Sequence, residues 1–184
     1  MMLPSSRPKL SAEEARKVLR DHGVASGVAI LGVRGYYRDT MGEPGKNDRG
    51  IYDDAIFVVS ENAFAGFNAN TDPSVRRQGI ACLAPGKHLY RKGNHGISKP
   101  GGGYPALRPA TRGEQLPVTR DGVINPRPGV AINIHRGSHR TTSSEGCQTI
   151  HPTQWEAFIS LVYSELSRAK QKTVPYVLVE GPLR

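Results

Sequence analysis

Val130-Ala131-Ile132-Asn133-Ile134-His135, followed at once by Arg136-Gly137-Ser138-His139-Arg140-Thr141-Thr142-Ser143-Ser144-Glu145-Gly146-Cys147, carries an alternating apolar pattern into one polar loop that ends on a thiol. The alternation predicts a β-strand with His135 at its end, which fixes the imidazole on a rigid element. Gly146 immediately before Cys147 lets the backbone approach a bound molecule closely and present its amides. An imidazole, a thiol and oriented N–H groups are what nucleophilic thiol catalysis requires. Cys147 is therefore the candidate nucleophile, His135 the candidate base, and Gly146 a candidate oxyanion-loop residue. Such a nucleophile calls for a thiol pKa lowered by its surroundings.

Working outward, short strand-like runs at residues 28–33, 55–60, 87–90, 116–120, 130–135 and 174–180 are separated by Gly, Pro, Asn and Asp, the punctuation of a β-rich chain. Residues 153–169 break the pattern: Trp155, Phe158, Ile159, Val162 and Leu166 recur at helical spacing, and Thr153 with Glu156 reads as a capping box. Ser11, ahead of Glu13 and Glu14, reads as the N-cap of a small helix that turns Val18 and Leu19 inward and stops at Gly23. The expected fold is mainly β with flanking helices, a β-sandwich or partial barrel with a helix directly after Cys147. Residues 1–10 read as a tail and residues 11–184 as one domain. The Gly/Pro-rich stretch 93–113 reads as a surface loop or as the wall of a substrate groove.

The 184 residues carry a formal net charge of +9 with 37% hydrophobic content, which suits a globular chain drawn to polyanions. Lys and Arg form no dense run with interleaved aromatics, so a nucleic-acid module is not expected. No apolar run reaches transmembrane length and no signal peptide is recognisable, so the expectation is synthesis in a cytoplasm without an integral membrane segment. The two cysteines leave Cys82, inside an apolar run, as a small buried hydrophobe.

Several further polar residues have a bland and a chemical reading. His139 is the alternative base, in a less fixed position. His151 before Pro152 reads as a capping or packing residue. Arg136 and Arg140 are candidates for clamping carboxylates, a task suited to the guanidinium fork, or else solvated charges. Asp53-Asp54 and residues 68–72 read as Asx turns more readily than as an amine-binding site. His88, His95, His135, His139 and His151 supply enough ligands for zinc, but His135 and His139 lack the helical His-Glu-x-x-His arrangement, so no metal is assigned.

The motif residues His135, Gly137, Ser144, Gly146 and Cys147 resemble the catalytic domain of the L,D-transpeptidases, the YkuD-like domain, in which His-x-Gly is followed by a polar loop and Ser/Thr-x-Gly-Cys. Ala84-Pro85-Gly86-Lys87-His88-Leu89-Tyr90 and Thr173-Val174-Pro175-Tyr176-Val177-Leu178-Val179 are similar to two of the family's strands, so the likeness covers roughly residues 55–180. Glu145 stands where the family has a histidine, Gln148 and Thr149 follow where it has Arg or Asn, and the His135-to-Cys147 spacing is shorter. Residues 30–37 and 47–54 are similar to bacteriophage-encoded relatives. The resemblance implies a cofactor-free cysteine enzyme acting on the stem peptides of bacterial peptidoglycan, with Ser144, Arg136, Gly137 and His139 near the substrate. The phage likeness implies wall lysis, endolysin-like, by a protein released from the host cytoplasm to the cell wall. Transpeptidation or carboxypeptidation is the alternative within the family, and a non-catalytic wall-binding phage component the alternative outside it.

Overall fold

A computed structural model describes residues 3–98 and 100–183. Its elements, in chain order, are α1 (Ala12–Asp21), β1 (Ala29–Arg34), β2 (Asp54–Val59), β3 (Phe64–Asn70), β4 (Ala81–Leu83), β5 (Gly86–His95), β6 (Tyr104–Pro109), β7 (Val118–Arg120), β8 (Ile134–Arg136), β9 (Gln148–Ile150), α2 (Pro152–Arg168) and β10 (Thr173–Glu180). Eight strands close into a barrel in the order β1-β10-β5-β6-β8-β9-β3-β2, and β4 and β7 form a separate two-stranded sheet. The mainly β expectation holds. The barrel is mixed, because β1 runs parallel to β10 and β8 parallel to β9, while the other neighbours are antiparallel.

Alternating side chains divide the apolar residues between two faces. Ile30, Ile56, Val58, Phe67, Leu107, Ile134, Ile150 and Leu178 share one core with Trp155, Phe158, Val162 and Leu166 of α2. The opposite face of β1 and β2 presents Ala29, Leu31, Val33, Phe57 and Val59, and α1 covers it with Ala15 and Leu19. The long helix therefore serves the main core and the short helix a satellite.

The helix caps separate correct from incorrect sequence expectations. Ser11 caps α1 as expected, in a full box with Glu14, and Gly23, at φ +73°, turns the chain just past its end. The Thr153–Glu156 capping box does not form. Pro152 occupies the first turn of α2, where a missing N–H costs nothing, and His151 is the N-cap, its side chain accepting from Thr153 N. His151 both caps the helix and packs its ring edge-on against Tyr52 at 4.8 Å, the two roles expected of it.

Three expectations are corrected. Residues 93–113 are not one loop: β5 continues to His95 and pairs with β6, from Tyr90↔Pro109 to His95↔Tyr104. The strand expected over 130–135 is confined to Ile134–Arg136, because Ala131 takes a positive φ of 54°, which breaks an extended run. Residues 3–10 do not trail free. Pro8 is buried, the Lys9 N–H donates to the Tyr36 hydroxyl at 2.9 Å and that hydroxyl donates back to Lys9 O at 2.5 Å.

Below the barrel end lies a buried polar network. The Arg34 guanidinium donates to Thr71 O at 2.7 Å, Leu83 O at 3.0 Å and Thr71 Oγ1 at 3.2 Å. Asp54 accepts from Gly35 N and Thr71 N, each at 2.5 Å, and from Thr71 Oγ1 at 2.8 Å. Asp54 thus has a full set of donors, so it is a structural residue. Asp53 accepts from Asp48 N at 2.9 Å through one oxygen, and Asp72 accepts from Asn47 Nδ2 at 2.7 Å. Burial beside Asp54 pushes Asp53 up to about 8 and Asp72 up to about 7, against the opposing pull of Arg34 and Arg49 on Asp72.

An unfolded aspartate titrates at about 4, so both groups are protonated in the native chain at pH values where the unfolded chain has already lost the proton. That contribution is full below about pH 4 and is lost as pH rises to 7–8. The thermal midpoint is expected to fall by several degrees between pH 5 and pH 8, and Asp53→Asn to flatten that fall. Calorimetry of both proteins across the range checks it; an unchanged slope in the variant would refute the assignment.

Candidate active site

The pairing of β8 with β9 brings the two ends of the polar loop together. Ile134 lies opposite Gln148 and His135 opposite Thr149, and Gln148 N donates to Asn133 O at 2.9 Å, so Cys147 falls beside Asn133. Ile134 and Ile150 enter the core, and Gln148 reaches inward to the hydroxyl of buried Tyr176 at 2.9 Å. Alternation then puts Asn133, His135, Cys147 and Thr149 on the other face. His135 and Cys147 are diagonal neighbours there, with Cα atoms roughly 8 Å apart from strand spacing and rise. The sequence-separated imidazole and thiol meet because these two strands run parallel.

The His135 Nδ1 lies 2.8 Å from Arg136 O and 3.2 Å from the Tyr104 hydroxyl. Donation of Nδ1–H to the carbonyl sets the tautomer in which Nε2 is the basic nitrogen. His95 stacks on His135 with ring centroids 3.9 Å apart, and its Nδ1 lies 3.1 Å from Asn133 Nδ2. The imidazole is thus gripped by Tyr104 and His95, with Asn133 behind them. The sequence marks neither Tyr104 nor Asn133, and His95 only as one of five histidines that could ligate zinc. His95 and Tyr104 sit on the β5–β6 hairpin hidden inside the Gly/Pro-rich stretch, and only the odd-residue alternation of Asn133, His135, Cys147 could have signalled Asn133.

The Cys147 Sγ accepts from Asn133 N at 3.4 Å and lies 3.7 Å from Ala131 O. Cys147 is half-buried at the edge of a cavity of about 410 Å³ whose lining includes Arg77, Arg120, Ala131, Glu145 and Gly146. Burial pushes its thiol pKa up, the Asn133 N–H opposes this, and Glu145 adds to the rise. The lowered pKa expected of a resting thiolate is therefore not present; these surroundings favour the neutral thiol. Cys82 is buried without that cavity, and burial pushes it up to about 11, consistent with a packing role.

Gly146 shapes the loop around Cys147. Its φ is +130°, and a Cβ there would lie 2.7 Å from Ala81 O, a backbone atom that cannot swing aside. Its amide donates to Ser144 Oγ at 3.1 Å, so the Gly146 N–H is already committed. The Cys147 N–H has no acceptor among the described residues. Ser144, expected near the substrate, is buried; its hydroxyl donates to Cys147 O at 2.7 Å and holds the turn instead.

The remaining expected site residues are placed as follows. Gly137 packs under Tyr52, where a Cβ would stand 2.1 Å from the hydroxyl, and its N–H donates to Ile150 O at 2.9 Å. Arg136 lays its guanidinium 4.8 Å from the Tyr104 ring centre, exposed beside His135. His139 is exposed and meets the His151 ring edge-on at 5.6 Å. Arg140 is exposed. Tyr52 and Ser74 anchor this loop: the Tyr52 hydroxyl donates to Ser138 O at 2.9 Å, and Ser74 Oγ accepts from Ser144 N at 2.8 Å. Among the described residues no group of three or more His, Cys, Asp or Glu is arranged to hold a metal ion, and no helix is long and apolar enough to cross a membrane.

No family model matches this sequence, and no curated protein matches it.

The electrostatics make the thiol's reactivity testable apart from any substrate. Iodoacetamide is expected to label Cys147 well before Cys82, at a rate that climbs as pH rises past the usual thiol range. Glu145→Gln removes a negative charge that opposes ionisation, so labelling at neutral pH is expected to speed up severalfold. Mass-spectrometric rates of alkylation check both, and faster labelling of Cys82 would overturn the assignment. Gly146→Ala is expected to destabilise the fold and remove Cys147 from its hydrogen bond with Asn133, read as a lowered thermal midpoint together with altered labelling.

Proposed function

We propose that this chain is a cysteine peptidase of the L,D-transpeptidase-like kind that cleaves the peptide part of bacterial peptidoglycan in an endolysin-like role. The observation that supports it is the shared face of β8 and β9, which sets Cys147 at an open cavity, diagonal to an imidazole whose Nδ1 is tied to a carbonyl. In the proposed course, Nε2 of His135 takes the Cys147 thiol proton as Sγ adds to a stem-peptide carbonyl carbon. The Cys147 N–H faces the resulting oxyanion. Collapse breaks the C–N bond, His135 returns the proton to the departing amine, and a thioester remains. Water, deprotonated by the same imidazole, then adds to the thioester; the thiol leaves and a carboxylate is released.

A neutral resting thiol fits this order of events. The proton moves with the attack, as it does for a serine nucleophile, rather than being lost beforehand. Positive charge over the whole chain favours approach to an anionic wall.

Digestion of purified peptidoglycan followed by mass spectrometry of the soluble fragments tests the reading. Released stem peptides with a new carboxylate are expected, unaffected by EDTA and abolished by Cys147→Ala, with Cys82→Ala retaining most activity. His135→Ala is expected to cost about a hundredfold in turnover and His139→Ala much less. New cross-links without soluble release would favour transpeptidation, and wall binding that survives Cys147→Ala with no turnover in the parent would favour a binding protein. A larger loss from His139→Ala would move the base to the loop.

A further inference from the structure

Behind the wall that carries the thiol lies a second cavity, of about 550 Å³, whose lining includes Arg91, Arg108, Arg112, Glu114, Val130 and Ala131. Val130 and Ala131 line the Cys147 cavity as well, so the two hollows share one strip of chain. That strip is shaped by the left-handed φ of 54° at Ala131, a conformation that a non-glycine residue adopts at a cost and that often marks functional segments. It turns Ala131 O toward Sγ, at 3.7 Å, and leaves the Val130 side chain 60% exposed between the hollows.

Three guanidiniums border the second cavity, and none takes part in an ion pair among the described residues. Two are fixed by backbone carbonyls: Arg91 donates from Nε to Ala110 O at 3.1 Å and from Nη1 to Lys92 O at 3.3 Å, and Arg108 donates from Nη1 to Asn94 O at 3.3 Å. Each retains further N–H donors. The one carboxylate there, Glu114, accepts from Thr111 N at 2.8 Å and leaves an excess of positive charge. Ile97, 60% exposed, adds an apolar surface to the rim.

We propose that this second cavity is a carboxylate subsite, in which Arg91, Arg108 and Arg112 hold a free carboxylate of a peptide that crosses the Val130–Ala131 strip to reach Cys147. Guanidinium forks match carboxylate geometry and prefixed ones lose little entropy on binding. Val130 and Ile97 supply apolar contact for the adjoining side chains. The subsite deepens the proposed peptidase reading and rests on it for the identity of the substrate, but not for the existence of carboxylate binding.

The test uses the full chain carrying Cys147→Ala, titrated by heteronuclear NMR with N-acetyl-Ala-Ala as the free acid and as the C-terminal amide, and separately with inorganic phosphate. The acid is expected to shift the amides of residues 108–114 and 130–131 and to bind about tenfold more tightly than the amide, the usual worth of hydrogen bonds to a charged group. Arg112→Gln, at the arginine with no hydrogen-bond partner among the described residues, is expected to lose about that factor with its thermal midpoint unchanged. Arg108→Lys keeps the charge and loses the fork, and is expected to bind more weakly than the parent. Equal binding of acid and amide, shifts confined to other surfaces, or preference for phosphate over the acid would overturn the subsite. Digestion of peptidoglycan by the unmodified protein is measured alongside. Carboxylate binding without digestion refutes the peptidase reading and leaves the subsite standing, whereas digestion with a KM unmoved by Arg112→Gln refutes the subsite alone.

Discussion

The parallel pairing of β8 with β9 is the constraint on which the rest of the molecule turns. It closes the barrel between β6 and β3, and it converts a separation along the chain into a diagonal contact across one face. A parallel pair cannot be joined by a tight turn, so the chain needs a connection between Arg136 and Gln148, and the polar loop is that connection. Tyr52, Ser74 and Ser144 hold it down with hydrogen bonds to its backbone. The apparent catalytic motif is thus also a crossover, and its glycines answer to packing: Gly137 lies under the Tyr52 hydroxyl and Gly146 against Ala81 O.

The site is assembled from parts with unequal rigidity. Beneath the crossover, the Arg34–Asp54–Thr71 network satisfies buried polar groups in a low-dielectric setting, where each unsatisfied one costs more than it would in water. It ties β1 to the end of β3 and to β4, so these strands are fixed relative to one another. Above it, Val130 and Ala131 stand out from the barrel in a strip that β8 does not absorb. An exposed strip mounted on a packed frame matches the usual division between loops and scaffold.

Electrostatics set the character of the thiol. Burial and Glu145 favour the neutral form, and the Asn133 N–H alone among the named causes favours the anion. In the proposed peptidase course ionisation accompanies attack, so the orientation of His135 by Arg136 O, Tyr104 and His95 matters more than a standing ion pair. Ser144 and Gly146, which in sequence invite a substrate-binding reading, spend their hydrogen-bonding capacity on each other and on Cys147 O.

The sequence by itself determined the β-rich class, the helix after Cys147 and the α1 cap at Ser11, and it marked Cys147 with His135 or His139 as candidate thiol and imidazole. Those features are local: period-2 and period-3.6 patterns, a capping box, and residue types with distinct chemistry. It misplaced the end of the strand before Ile134, the N-cap of α2 and the hairpin of β5 with β6. Those depend on Ala131 adopting a left-handed φ, on Pro152 claiming the first helical turn, and on Gly/Pro-rich residues pairing across a long antiparallel register. Only the tertiary structure decided that β8 and β9 run parallel, that His95, Tyr104 and Asn133 gather around His135, and that three arginines without an ion pair among the described residues border the Val130–Ala131 strip. Each of these relations joins residues from separate strands, and barrel closure, a property of all eight strands together, is what brings them within reach.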